Sequence, residues 1–100
     1  MIIDIHTHPP GGGAGENPEV IDEVIQVAKK FNISKMCLLG DVLRFGYNPS
    51  EEEVRKINNL TISMVKRWPR FLIGFCFLNP GHSQNFLLEE IERCIVKKKF

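Results

Sequence analysis

The feature that most constrains the fold is the alternation of two hydrophobic patterns along the chain. Three short aliphatic segments, Ile2–Thr7, Ile33–Leu39 and Phe71–Leu78, have the length and composition of β-strands. After each of them, apolar residues recur at the three- and four-residue spacing of amphipathic helices. Strands that alternate with helices in this way form parallel sheets joined by right-handed crossovers. The sequence therefore predicts an α/β protein of order βαβαβα, with parallel strands and the helices outside.

Local signals mark the ends of the predicted helices. Asn17 is suited to cap a helix that runs to about Phe31. Ser50 and Glu53 have the spacing of a capping box, and the helix that they open is expected to end before Pro69. The third helix is predicted from a final set of apolar residues at helical spacing: Phe86, Leu87, Leu88, Ile91, Cys94 and Ile95.

The third predicted strand constrains the size of the fold. Its sequence, FLIGFCFL, is apolar at odd and even positions, which is typical of a strand buried on both faces. Three helices cover only one face of a three-stranded sheet, so the other face needs a second layer or closure of the sheet. We therefore expect residues 1–100 to be the N-terminal, incomplete part of a single (β/α)8 TIM barrel domain, a fold of about 250 residues.

Composition and charge limit the classes of function. The chain is 43% hydrophobic and 25% charged, as in an ordinary soluble globular protein, and its net charge of +1 favours neither nucleic acid nor membrane as a partner. A transmembrane helix needs about 20 apolar residues, and every apolar run in this sequence is much shorter. The start also lacks a signal-peptide pattern. Three scattered cysteines, Cys37, Cys76 and Cys94, predict small buried thiols in the reducing cytoplasm rather than a disulfide or a metal site.

Two of the three histidines lie one residue apart at the end of the first predicted strand, in IIDIHTHP. Because alternate side chains of a strand share a face, Asp4, His6 and His8 are expected to point into the barrel, with Ile3 and Ile5 packed against the helices. Two such imidazoles can converge on one metal ion, and Asp4 can support them from one pleat deeper. The alternative is a pair of polar residues that merely ends the strand.

Polar residues also follow the second and third predicted strands. Asp41 and Arg44 follow the second, and Asn79 and His82 follow the third, where barrel enzymes place their sites. Of these, His82, Asn79 and Arg44 are candidate substrate-binding residues, His82 also being considered as a further metal ligand. Structural roles in the loops are the alternative for all four.

The glycine-rich stretch GGGAGE lacks the Gly-Lys-Ser/Thr ending of a phosphate-binding loop and has Glu16 where a dinucleotide fingerprint needs glycine. We expect residues 9–16 to form a mobile loop over the mouth of the site instead.

The start IIDIHTHP and the later stretch RFLIGFCFLNPGHSQNFLLEEIERCI together resemble the amidohydrolase superfamily, in particular its amidohydrolase-related branch of metal-dependent hydrolases and decarboxylases. The resemblance implies that His6 and His8 bind a divalent cation, usually zinc. The family completes its site from later strands, with a histidine or carbamylated lysine, another histidine, and an aspartate as general base. Those strands are not in this sequence, so the catalytic residues stay unknown.

The function implied is a metal-dependent hydrolase, in which metal-activated water attacks a carbonyl-type or related bond of a small molecule, or metal-assisted decarboxylation. The alternative is a non-catalytic fragment of such a barrel that associates as a homo-oligomer or with a missing C-terminal portion. Polymerase-and-histidinol-phosphatase barrels also begin with His-x-His, but their Ser-Asp-Gly is replaced here by Pro-Pro-Gly-Gly. TatD-type nucleases have a similar start, yet the near-neutral charge gives no evidence for a nucleic-acid groove.

Overall fold

The computed structural model describes residues 1–10, 17–98 and 100. Its strands and helices, in chain order, are β1 (Ile2–Thr7), α1 (Ile21–Lys30), β2 (Ile33–Leu38), α2 (Glu51–Arg67), β3 (Leu72–Gly74) and α3 (Gln84–Ile91). A 3-10 turn, Pro18–Val20, precedes α1, and a π-helical segment, Glu92–Lys97, continues α3. The predicted α/β class with parallel strands is confirmed, and the sheet is open, with no barrel closure within these residues. The proposed mobile loop falls mainly on residues 11–16, outside the described ranges.

The sheet has the order β1-β2-β3, with both neighbouring pairs parallel. Met36 and Leu38 of the central strand β2 point to the face that α1 and α2 cover, where Ile25 and Met64 are buried against them. Each such side chain contributes about 1.5–3 kcal/mol when it is fully removed from water. The rest of this core comprises Ile21, Ala28, Leu60, Phe71 and Leu72.

The opposite face of the sheet lacks a helical layer among the residues that the structure describes. Cys37 of β2 pairs with Ile73 of β3 on this face, and the side chain of Ile73 is 37% exposed. Phe75, just after β3, is 44% exposed. This agrees with the expectation that the helices cover only one face of a three-stranded sheet, because α1 and α2 both pack on the same side of it.

β3 is shorter than predicted, since Leu72–Gly74 forms the strand in place of Phe71–Leu78. β2 ends at Leu38, whose carbonyl accepts from the N–H of Phe75, the first residue after β3, at 2.9 Å. Asn58 of α2 takes over that pairing: its Oδ1 accepts from the N–H of Phe77 at 2.8 Å and its Nδ2 donates to the Phe77 carbonyl at 2.9 Å. A buried side-chain amide thus replaces a strand in satisfying this backbone.

The predicted helix starts are confirmed. The side chain of Asn17 accepts from the N–H of Glu19 at 3.0 Å, although it opens the 3-10 turn and α1 itself begins at Ile21. Both halves of the capping box are formed, at 3.2 Å from the N–H of Glu53 to Ser50 and at 2.9 Å in the reverse direction. Within the described part of the chain, no helix is both long and apolar enough to cross a membrane.

The start of α1 is joined to the end of α2 by a three-residue cluster. Nε of Arg67 donates to Asp22 at 2.7 Å, and the indole N–H of Trp68 donates to the same carboxylate at 2.7 Å. The hydrogen bond from Arg67, followed by that from Trp68, lowers the pKa of Asp22 from 3.8 to about 2. The folded state therefore favours the ionised carboxylate more strongly than the unfolded chain does.

Asp22→Asn is expected to lower the denaturant midpoint near neutral pH, because it removes the charged partner of Arg67. Stability from a depressed pKa is present above the unfolded value of 3.8 and is lost as the pH falls toward about 2. The midpoints of the two proteins should therefore converge across that interval, as measured by urea unfolding followed by circular dichroism. Glu23→Gln, which removes an equal charge from the same helical turn, is the control, and parallel pH profiles of both variants would contradict the assignment.

Candidate functional site

His6 and His8 lie at the C-terminal end of β1 with their rings in contact. Their Nε2 atoms are 3.1 Å apart, and the ring centroids are separated by 5.1 Å at an interplanar angle of 64°. Both side chains belong to exposed residues, so the pair faces solvent. The structure thus brings together the two histidines that the His-x-His motif singled out.

A bulge in β1 sets the direction of these side chains. Asp4 is the Cα partner of Met36 and Thr7 that of Leu38, so three steps along β1 match two steps along β2. One extra residue is accommodated between Asp4 and Thr7, which interrupts the regular alternation of faces. In this segment Oδ1 of Asp4 accepts from the backbone N–H of His6 at 3.0 Å.

The bulge corrects two expectations about β1. Asp4 shares the helix-covered face with Met36 and binds the His6 backbone instead of lying beside the imidazoles. Ile3 and Ile5 do not pack against the helices, since 74% of Ile5 and 44% of Ile3 is exposed. Simple two-residue alternation cannot hold across an inserted residue, and β1 is an edge strand of the described sheet.

A carbonyl of the neighbouring loop orients His8. Its Nδ1 lies 2.7 Å from the carbonyl oxygen of Gly40, the second residue after β2. Because a carbonyl only accepts, the proton of neutral His8 is on Nδ1, which leaves the lone pair of Nε2 directed at His6. His6 then donates from its own Nε2 across the 3.1 Å separation.

Gly40 was not among the residues that the motifs indicated, yet it holds a demanding position. Its φ of +88° lies in the left-handed region, and a Cβ there would come within 3.1 Å of Ile57 Cγ2 and 3.3 Å of Thr61 Oγ1. Both of those α2 side chains are buried. The only signal in the sequence is a glycine placed directly after an apolar strand, which is compatible with many turns.

The histidine pair suits a divalent metal ion. Two nitrogens bound tetrahedrally at about 2.0–2.1 Å from one zinc lie about 3.3–3.4 Å apart, close to the separation of the two Nε2 atoms. Metal-binding histidines commonly donate their second ring N–H to a carbonyl, as His8 does to Gly40. Within residues 1–10, 17–98 and 100, no group of three His, Cys, Asp or Glu side chains could hold a metal ion. The described ranges can therefore offer at most the two histidines, whereas a catalytic zinc commonly has three ligands from protein.

Asn79 ties together the loops that follow β2 and β3. Its Nδ2 donates to Oδ1 of Asn48 at 2.8 Å and to the carbonyl of Pro49 at 3.1 Å, while its Oδ1 accepts from the N–H of Gly81 at 3.0 Å. These contacts satisfy most of the hydrogen-bonding capacity of the Asn79 side-chain amide. This geometry assigns Asn79 a role in loop structure. Its contact with substrate stays a prediction.

His82 and Arg44 have polar atoms with no hydrogen-bond partner in the described part of the protein. Nδ1 of His82 is buried in this way, while its ring packs edge-on against Phe86 with centroids 5.3 Å apart. Nη1 of Arg44 is also buried without a partner, and its guanidinium lies over the ring of Phe45 at 4.8 Å. Within the described residues, neither side chain forms a metal-binding group with His6 and His8.

Comparison of the sequence with protein-family models and with curated proteins gives no match. The resemblance to the amidohydrolase superfamily therefore stays a prediction from the quoted motifs. Evidence for function comes from His6, His8 and the groups that orient them.

Gly40→Ala is expected to destabilise the protein more than Gly46→Ala does. Both glycines have positive φ, +88° and +84°, but a Cβ at Gly46 meets nothing within 4 Å. Gly46→Ala should therefore cost about 1–2 kcal/mol from backbone strain alone. Gly40→Ala should add about 1–3 kcal/mol because the methyl group crowds α2.

The free energy of unfolding in urea measures this difference between the two alanine variants. Equal losses would show that α2 does not constrain the loop that carries the Gly40 carbonyl.

Proposed function

We propose that the chain is part of a metal-dependent hydrolase in which His6 and His8 bind one divalent cation, with zinc the first choice. The observation that carries the proposal is the geometry of the pair. Two Nε2 atoms lie 3.1 Å apart at the end of β1, and His8 is held through Nδ1 by the Gly40 carbonyl. A pair that only ended the strand would not need the second ring nitrogen fixed in this way.

The chain's own residues prepare the site for such an ion. The Gly40 carbonyl selects the tautomer of His8 that has its lone pair on Nε2. For both rings to bind the ion through Nε2, the proton that His6 donates from Nε2 would have to move to its Nδ1. Asp4 fixes the backbone of His6 within the bulge, which limits the movement of that ring. When bound, a divalent cation supplies a Lewis acid that polarises a substrate oxygen and activates water near neutral pH.

The remaining ligands and the general base are proposed to come from further strands of a (β/α)8 barrel. Support comes from the sheet face that no described helix covers, where Ile73 and Phe75 are exposed beside the open edge of β3. Added parallel strands would continue this edge and close the sheet.

Within that barrel the substrate would be a small molecule bound at the C-terminal ends of the strands. Arg44, Asn79 and His82 follow β2 and β3, which places them at this end of the sheet. Nη1 of Arg44 and Nδ1 of His82 are buried without a hydrogen-bond partner in the described residues, so they would have to become accessible before they could contact substrate. The three cysteines are free thiols, which supports the proposed cytoplasmic location.

A second candidate function is a non-catalytic subunit or fragment that associates through the uncovered face. The exposure of Ile5 on β1 and of Phe75 after β3 favours it, since both sheet edges carry apolar side chains. The two candidates differ in whether the histidine pair takes up metal.

Equilibrium dialysis against zinc, followed by metal quantification, tests the proposal. The unaltered chain should bind up to one zinc per chain, and His6→Ala and His8→Ala should each weaken binding more than about tenfold, since each removes a direct ligand. His82→Ala is the matched control, because it removes the third histidine from a different loop and should leave the affinity unchanged.

Zinc uptake that is the same in all four proteins would contradict the assignment of His6 and His8. Absence of zinc uptake by the unaltered chain would mean that the site is at best half-built within these residues, so that metal binding and catalysis would belong only to a longer protein.

A further inference from the structure

Two of the three cysteines meet behind β3, on the side of the molecule that packs against α3. Sγ of Cys76 lies 3.9 Å from the carbonyl oxygen of Glu90 and 3.8 Å from Nδ2 of Asn58. Cys94 follows Glu90 by four residues along the same helix, so it lies one turn further on the same side. Both thiols therefore lie close to the Glu90 carbonyl, near enough for each to change the pKa of the other.

The two thiols differ in their access to solvent. Cys76 is partly exposed and lines an open apolar cavity of about 560 Å³, together with Ile73, Phe75 and Phe100. Cys94 is fully buried. A small oxidant can therefore reach Cys76 from the cavity, whereas Cys94 has no exposed surface.

The proximity of the two thiols makes the pair chemically unequal. The hydrogen bond from Cys94 lowers the pKa of the Cys76 thiol, and this effect exceeds the opposing influence of burial and of Glu90. The pKa of Cys94 is raised, first by its bond to Cys76 and then by burial. Cys76 is thus the thiol that ionises first, and a thiolate is the form that reacts with oxidants.

We propose that Cys76 and Cys94 form an intramolecular disulfide when the protein meets a peroxide. In the first step the sulfur of Cys76 bonds to one peroxide oxygen, the O–O bond breaks, and the second oxygen leaves as water, so that Cys76 becomes a sulfenic acid. In the second step the sulfur of Cys94 attacks that of Cys76, the S–O bond breaks, and a second water leaves. Two thiols lose two protons and two electrons, and one peroxide is reduced to two waters.

The geometry favours completion of the second step. Conversion of Cys76 to a neutral sulfenic acid removes the thiolate that opposes ionisation of Cys94. No further thiol has to be recruited, because Cys94 lies one helical turn beyond the Glu90 carbonyl that Cys76 contacts. Cys37 lies on β2 and is buried, so it is expected to stay reduced.

Peptide mapping after mild oxidation tests the proposal on the folded chain. Hydrogen peroxide is added in stoichiometric amount, exchange is stopped with acid, free thiols are alkylated in denaturant, and the chain is cut with trypsin. Cleavage after Arg70, Arg93 and Lys97 should yield the peptides 71–93 and 94–97 joined by one disulfide. Two of the three free thiols should be lost, and the Cys37 peptide, 36–44, should be recovered alkylated.

Variants and an unfolded sample control the result. Cys37→Ser should retain the linked peptides, whereas Cys76→Ser and Cys94→Ser should lose them. In urea the unaltered chain should lose the selectivity, because the contact between the two thiols is a property of the fold. The proposal would be overturned by linkage through Cys37 in the folded chain, by disulfides between chains, or by further oxidation of Cys76 without a link to Cys94. The mapping of the unaltered chain decides the matter even where a serine variant does not fold.

Discussion

The packing of α1 and α2 against one face of β2 is the contact on which the rest of the structure depends. Met36 and Leu38 are buried beneath side chains of both helices, which fixes where β2 ends and where its following loop begins. Gly40 lies in that loop, wedged against Ile57 and Thr61 of α2. The carbonyl that orients His8 is therefore placed by the hydrophobic core, although the histidine pair itself faces solvent. The histidine rings of the candidate site are exposed, but the position of the carbonyl that orients His8 depends on buried contacts.

A buried polar cluster on the other side of α2 also holds neighbouring segments of the chain in place. Asn58 is fully buried, and besides pairing with the backbone of Phe77 it donates to Glu90 of α3 at 2.7 Å. Burial acts to raise the pKa of Glu90, but hydrogen bonds from Arg93 and Asn58 outweigh it and the pKa is lowered. A charged, hydrogen-bonded carboxylate thus joins α2, α3 and the segment after β3. This arrangement also brings Cys76 to the carbonyl of Glu90.

Much of the fold can be predicted from the sequence, because its signals are local. Capping at Asn17 and Ser50 depends on a side chain and a backbone N–H two or three residues away, and both starts are confirmed. The end of β3 could not be predicted in this way, since Asn58 and Phe77 are 19 residues apart and their pairing depends on helix placement. Apolar composition alone could not show that a side chain would replace the next strand.

The candidate site, too, could be predicted from the sequence only in part. The motif identifies His6 and His8, since two histidines one residue apart in a strand are visible without a structure. The bulge between Asp4 and Thr7 cannot be predicted from the sequence, because it arises from the register of β1 against β2. The contribution of Gly40 was also missed, as a backbone carbonyl carries no residue-specific signal and its partner lies 32 residues away.

The position of the histidine pair on an edge strand links ligand binding to the opening of the sheet. Within the described residues β1 pairs only with β2, so it is among the segments that separate from the sheet at the lowest free-energy cost. His8 contacts the loop after β2, and His6 lies within the bulge of β1. A ligand held by both rings would therefore resist the detachment of β1. If a ligand binds there, its occupancy and the rate of amide exchange along Ile2–Thr7 would report on the same opening equilibrium.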